Sequence, residues 1–116
     1  MKILGVGVDI IDNNRIKTLI RKKNFSKKKN SRIAFFAKRF AAKESFSKSI
    51  GTGIRNNLIF KDIEILNDKF GKPYFRKTKK INNLIYKKFK VKKYNLFLSI
   101  SDEKEYSIAF TILQKK

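Results

Sequence analysis

The chain has 116 residues, 41% of them hydrophobic with eleven Phe, and 30 Lys plus Arg against nine acids give a net charge of +21. That length suits one domain, 1–116, with a real core but much surface for its volume, so self-association helps it. With no Cys and no His, disulfides, thiol chemistry, imidazole catalysis and His/Cys zinc sites are excluded, and no apolar run nears the ~20 residues of a membrane span.

Lys2-Ile-Leu-Gly-Val-Gly-Val8 is an apolar run long enough for one buried strand, and it stops at Asp9. It carries no signal-peptide pattern, so a cytoplasmic protein is expected. Asp9 then stands at the strand end, on a rim where sites are often built; its plain alternative is a turn aspartate. From Asp12 to Arg21, Ile16, Leu19 and Ile20 form a helical stripe with Asp12 as N-cap. Lys22 to Ser31 is polar and basic and reads as a loop or frayed helix end. A long central helix spans Ile33 to Ile50.

The most informative stretch is Arg39-Phe-Ala-Ala-Lys-Glu-Ser-Phe-Ser-Lys-Ser-Ile-Gly-Thr-Gly-Ile54. It reads as an amphipathic helix running into a Gly-Thr-Gly turn. At ~100° per residue, Lys43, Glu44, Ser47 and Lys48 share an arc of roughly 140° that also holds Phe40. A carboxylate, a hydroxyl and two ammonium groups beside the apolar stripe suit a metal-bound phosphate. A Glu44/Lys48 ion pair with Gly51 as C-cap is the plainer account, and both stay open.

Beyond it, Leu58 to Leu66 alternates from Phe60 as a half-buried strand. Asn67 to Gly71 is a turn, and Lys72 to Arg76 returns as an edge strand that tolerates Pro73. Ile81, Leu84, Ile85 and Phe89 give helical spacing within Thr78 to Lys90. Leu96 to Ser101 and Tyr106 to Leu113 form a hairpin around Asp102-Glu-Lys-Glu105. The order β, α, α, β, β, α, β, β makes the fold class α+β, a mainly antiparallel sheet packed by helices.

The charge first suggests nucleic acid. Yet Lys, Asn, Ile, Phe and Tyr, all with A/T-rich codons, are abundant together, and Lys outnumbers Arg 24 to 6, whereas readers of phosphates and bases lean on Arg. Most lysines therefore read as solvated surface. Only Asp9, Asp12 and Glu44 supply carboxylates in the first half of the chain, so a hard cation held there by side-chain oxygens draws on these three.

Gly5-Val-Gly-Val-Asp9-Ile-Ile-Asp-Asn-Asn-Arg15-Ile resembles the opening signature of holo-acyl-carrier-protein synthases, the small bacterial 4′-phosphopantetheinyl transferases. Arg39 to Ile54 is similar to their second signature almost residue for residue, and Phe70-Gly71-Lys72-Pro73 and Leu98 to Glu103 with Tyr106 agree in order. The Lys22 to Ser31 segment departs from the family by being shorter, and Asp102 stands where many members have histidine, so Asp102 receives no ligand role. The resemblance implies a trimer with active sites at subunit interfaces. It implies transfer of 4′-phosphopantetheine from coenzyme A to a serine of apo-acyl-carrier protein, leaving adenosine 3′,5′-bisphosphate.

By the same resemblance, Asp9 and Glu44 hold Mg²⁺. Lys48 offsets charge on the phosphates, and Glu44, directly or by way of a water, accepts the serine proton. Arg39, Lys43, Ser47, Gly51 and Thr52 reach the phosphates of coenzyme A, with the glycines allowing close backbone approach. Gly71, Lys72 and Pro73 meet the nucleotide end; a plain β-turn is their alternative. Arg15, Leu19 and Lys22, at i, i+4 and i+7, make one helix face of an apolar residue between two cations, suited to an acidic carrier protein. No membrane and no specific nucleic acid are expected as partners. Two rival readings remain: a small basic RNA-binding protein without catalytic activity, which explains +21 but not Glu44 between Lys43 and Lys48, and a degenerate family member kept as a subunit.

Overall fold

The computed structural model describes the backbone at 2–22, 29–51 and 60–116, and the side chains at 2–19, 32–51 and 60–116. The element order is β1 (Lys2–Asp12), α1 (Asn13–Lys22), α2 (Lys29–Ile50), a 3₁₀ turn (Phe60–Asp62), β2 (Ile65–Asn67), β3 (Pro73–Phe75), α3 (Lys79–Phe89), β4 (Tyr94–Asp102) and β5 (Tyr106–Lys115). A three-stranded antiparallel sheet, ordered β1-β5-β4, carries the fold, and β2-β3 form a separate antiparallel pair. The expected class, α+β with a mainly antiparallel sheet packed by helices, is what the chain adopts.

One sheet face is covered by α2, and the inward positions show why the two approach so closely. Small residues line both sides: Ala37, Ala41, Ala42, Ser45 and Ser49 on the helix, Gly7, Ser107, Ala109 and Thr111 on the strands, all buried. Ser45 and Thr111 share a 2.6 Å hydroxyl–hydroxyl hydrogen bond, and Ser45 Oγ lies 2.8 Å from the Ala42 carbonyl. Larger residues fill the flanks, with Phe46 wholly buried and its ring 5.2 Å from that of Phe75. The pair β2-β3 is thereby tied to α2.

Helix ends follow their sequence signals. Asp12 Oδ1 accepts from the Asn14 amide at 2.9 Å, as expected of an N-cap. Thr78 caps α3 through the Ile81 amide at 3.2 Å, and Lys90 ends it at φ 60. Gly51 ends α2 at φ 84, its amide donating to the Ser47 and Lys48 carbonyls.

Four expectations change. The first strand runs on to Asp12 instead of stopping at Val8, because β5 pairs with it as far as Asp12↔Tyr106; Asp9 is therefore inside a strand. Lys29 to Ser31 are helical, since nothing between them and Ile33 breaks a helix; 23–28 lie outside the described residues. The expected strand from Phe60 is a 3₁₀ turn closed by Ile63 N donating to Phe60 O, with strand only at Ile65–Asn67. Phe60 there packs edge-on against Phe40, ring centroids 5.0 Å apart, which turns the chain back onto α2. Finally, α2 is less a two-faced helix than a central one. Burial extends well around it because Ala and Ser let the sheet close over positions that the sequence pattern leaves neutral.

Candidate active site

Along β1, Gly5, Gly7, Asp9 and Ile11 alternate on the face toward α2. A Cβ added to Gly5 falls 1.7 Å from the Ser49 carbonyl oxygen, and one added to Gly7 falls 1.8 Å from that of Ser45. Only glycine admits the helix backbone at this distance. The next inward residue is Asp9, which the crossing places against the exposed edge of α2. Lys48 Nζ stands 3.1 Å from Asp9 Oδ1 and donates to the Val8 carbonyl, also at 3.1 Å. The Asp9 side chain is 14% exposed and that of Lys48 53%, so the pair opens to solvent from the lysine side.

Glu44 lies one helical turn before Lys48. Partial burial and then the charge of Asp9 push its pKa above the ordinary carboxylate value, while Lys48 and Arg15 pull it back. Three elements thus bring charge to one neighbourhood: Asp9 from β1, Glu44 and Lys48 from α2, Arg15 from α1. Asp9 and Glu44 are close enough to repel each other, and carboxylates offer a cation only oxygen donors. Among the described residues no trio of acids gathers. Two carboxylates suit Mg²⁺, which keeps water and substrate oxygens in its remaining positions.

The other predicted residues fall around this centre. Arg39 and Lys43 lie together on a neighbouring flank of α2. The Arg39 guanidinium sits 3.6 Å over the Phe35 ring, and burial lowers its pKa. Burial and the adjacent Arg39 lower that of Lys43, partly offset by Glu64. Ser47 is wholly buried and donates to the Lys43 carbonyl at 3.1 Å, so in the single subunit its hydroxyl faces inward. Gly51 is exposed at the end of α2; Thr52 lies outside the described residues. Gly71 and Lys72 belong to the β2-β3 turn, and Pro73 opens β3. Arg15 and Leu19 are exposed on α1, which also contains Lys22, whose side chain is not among those described.

Three contributors escaped the sequence reading. The Val8 carbonyl, a second acceptor for Lys48, has no side-chain signal. The Gly-x-Gly alternation in a strand was visible, but the helix it admits was not. Asn13 is the third: its side chain donates to the Glu103 and Lys104 carbonyls and accepts from Ser107, and its amide donates to Glu105 O at 2.7 Å. It pins the β4-β5 turn to the start of α1. A cleft of about 610 Å³ opens there between Lys17, Ile33 and Asp102 to Glu105, and neither Asp9 nor Glu44 lines it.

Comparison with known proteins gives matches along the chain. The profile of the 4′-phosphopantetheinyl transferase superfamily matches residues 5–111. The holo-[acyl-carrier-protein] synthase of Pelagibacter ubique is 53% identical over the full length of both chains. The crystal structure of a holo-(acyl-carrier-protein) synthase from Bacillus anthracis in complex with CoA (3′,5′-ADP) superposes at TM-score 0.79, with 32% identity and complete coverage of both chains. That of the Neisseria meningitidis enzyme also gives 0.79, with 31% identity over 97% of this chain and 99% of the other. Among the described residues no helix is long and apolar enough to cross a membrane. The resemblance carried by the two signatures holds along the whole chain, which belongs to the 4′-phosphopantetheinyl transferase superfamily as one of its holo-[acyl-carrier-protein] synthases.

Proposed function

We propose that residues 1–116 form a single catalytic domain that moves the 4′-phosphopantetheine group of coenzyme A to a serine hydroxyl of apo-acyl-carrier protein in the cytoplasm, with Mg²⁺, releasing adenosine 3′,5′-bisphosphate. The observation that carries this reading is the convergence of Asp9 with Lys48 at 3.1 Å, inside the electrostatic reach of Glu44.

Asp9 and Glu44 are the residues that hold the metal, which when bound neutralises charge on the pyrophosphate oxygens. Lys48 keeps Asp9 oriented and adds positive charge on the same side. Glu44, directly or by way of a water, accepts the serine proton. Arg39 and Lys43, with Ser47, Gly51 and Thr52, take the phosphates, and Gly71, Lys72 and Pro73 the nucleotide end. Arg15, Leu19 and Lys22 receive the acidic carrier.

The opposite sheet face supports a homotrimer. Val6, Val8 and Ile10 of β1, Ile108 and Phe110 of β5, and Phe97 of β4 all point away from α2 and are exposed. Register puts Val8 beside Phe110 and Ile10 beside Ile108, so the patch is continuous. An apolar surface of this kind marks an interface.

Intact-mass measurement of an apo-carrier incubated with the protein, coenzyme A and Mg²⁺ tests the reaction. The carrier gains phosphopantetheine; chelator abolishes the gain, and Glu44→Gln or Asp9→Asn lowers the rate by two or more orders of magnitude, on the order of a lost general base. An unmodified carrier, with tight RNA binding by the same preparation, favours a basic RNA-binding protein instead. An unmodified carrier without RNA binding favours a degenerate subunit.

A further inference from the structure

Helix α1 is anchored to the fold by two side chains. Of those described on it, only Asn13 and Ile16 are buried; Asn14, Arg15, Lys17, Thr18 and Leu19 are exposed. Ile16 joins the hydrophobic core. Such an apolar anchor resists withdrawal but lets a helix swivel, because hydrophobic burial has no direction. Direction has to come from Asn13.

The partners of Asn13 lie in one short segment of the β4-β5 hairpin. Its amide donates to the Glu105 carbonyl at 2.7 Å, which satisfies one of the donors that a helix start leaves over. Its side-chain nitrogen donates to the carbonyls of Glu103 at 3.2 Å and Lys104 at 3.1 Å. Its Oδ1 accepts from the buried Ser107 hydroxyl at 2.9 Å. Three successive carbonyls thus converge on one residue. The turn has its own closure, the Glu103 amide donating to the Tyr106 carbonyl at 2.8 Å, so Asn13 is not needed to shape it. A carboxamide supplies the two donors and the acceptor that this place requires. Aspartate would set a charge against carbonyl oxygens, and an apolar side chain would leave them unmatched. Beyond these bonds the helix and the turn part: the cleft of about 610 Å³ opens between Lys17 on one wall and Asp102 and Glu103 on the other.

We propose that Asn13 is a positioning residue for the carrier protein: by locking the first turn of α1 to the β4-β5 turn, it fixes the direction in which Arg15 and Leu19 are presented. The inference rests on the transferase reading above, with α1 as the docking face. Asn13 is buried and acts through its exposed neighbours, not on a substrate. Without the clamp, α1 pivots about Ile16 and only a fraction of molecules presents the face correctly. Apparent affinity for the carrier falls by that fraction, whereas a carrier already bound has selected the competent orientation.

Kinetics, binding and hydrogen exchange test it separately. Asn13→Ala raises KM for the carrier about ten-fold, which corresponds to a competent fraction of about one in ten. KM for coenzyme A, and kcat at saturating carrier, stay as in the wild type. Fluorescence anisotropy with labelled apo-carrier and no coenzyme A shows the same weakening, and exchange speeds up at the amides of α1 but not at those of the sheet. Should Asn13→Ala fail to fold, Ser107→Ala, which removes only the bond to Oδ1, shows the same pattern at smaller size. An unchanged carrier KM, or unchanged exchange in α1, in a folded variant overturns the proposal. So does an equal rise in both KM values, which makes Asn13 a support of the fold at large, and so does a wild-type protein that binds no carrier. A wild-type protein that binds apo-carrier more tightly than Asn13→Ala does, yet modifies none, condemns the transfer reaction and leaves the positioning role standing.

Discussion

At the scale of single residues, the site depends on two glycines that carry no chemistry. A Cβ on either Gly5 or Gly7 would strike a helix carbonyl oxygen, 1.7 or 1.8 Å away, that cannot swing aside as a side chain does, and Gly7 is the more crowded because its Cβ would also lie 2.6 Å from the Ser49 amide nitrogen. Gly7→Ala therefore forces β1 and α2 apart, at a cost of about 1–3 kcal/mol or more. That separation also draws Asp9 from Lys48. Gly71 is the control: its surroundings are empty, and only its φ of 82 resists a side chain, a cost nearer ~1 kcal/mol. Thermal melts of the two alanine variants should show the larger loss at Gly7, with activity falling there even well below the new Tm. Equal melting temperatures would show that the crossing has slack that the geometry denies. The alternation Gly-x-Gly was plain in the sequence, and so were Asp9, Glu44 and Lys48 as a group of interest. Their meeting was not legible, because it depends on which helix lies against which strand, and neither partner's pattern names the other.

Elements were legible where a local signal ended them. Asp12, Thr78 and Gly51 cap helices as their residue types predict, and the hairpin of β4 and β5 follows its alternation. The stretch from Phe60 misled because a 3₁₀ turn takes up Phe60–Asp62, where period-2 alternation does not apply, and strand begins only at Ile65. For α1 the structure adds a distinction that the helical face alone lacked. Arg15 lies close enough to lower the pKa of Glu44, so in the proposed roles Arg15→Glu disturbs both carrier docking and the carboxylate that accepts the proton. Leu19 is exposed on the same helix and carries no charge to act on Glu44. Steady-state kinetics should therefore separate them. Leu19→Glu raises KM for the carrier about ten-fold with kcat and KM for coenzyme A unchanged. Arg15→Glu raises the same KM and lowers kcat as well. If both variants lose kcat alike, α1 supports the site and does not dock the carrier.

For the whole molecule, the apolar outer face of the sheet and the charge of +21 pull in opposite directions. Bringing like-charged copies together costs repulsion, which salt screens within about 10 Å at 0.1 M. Docking an acidic carrier gains attraction, which the same salt weakens. The sequence hid this apolar face: β1 read as a continuous apolar run, and only the sheet shows that Val6, Val8 and Ile10 are left over once the alternate positions have met α2. Raising ionic strength should thus tighten self-association while raising KM for the carrier. Phe110→Lys, placed where β5 faces Val8 across the sheet, adds a charge to the middle of the patch. Sedimentation velocity should show it as a lone subunit across the salt range, with circular dichroism unchanged because Phe110 takes no part in the core. A wild-type protein that dissociates as salt rises would mean that ion pairs, not this apolar surface, hold its copies together.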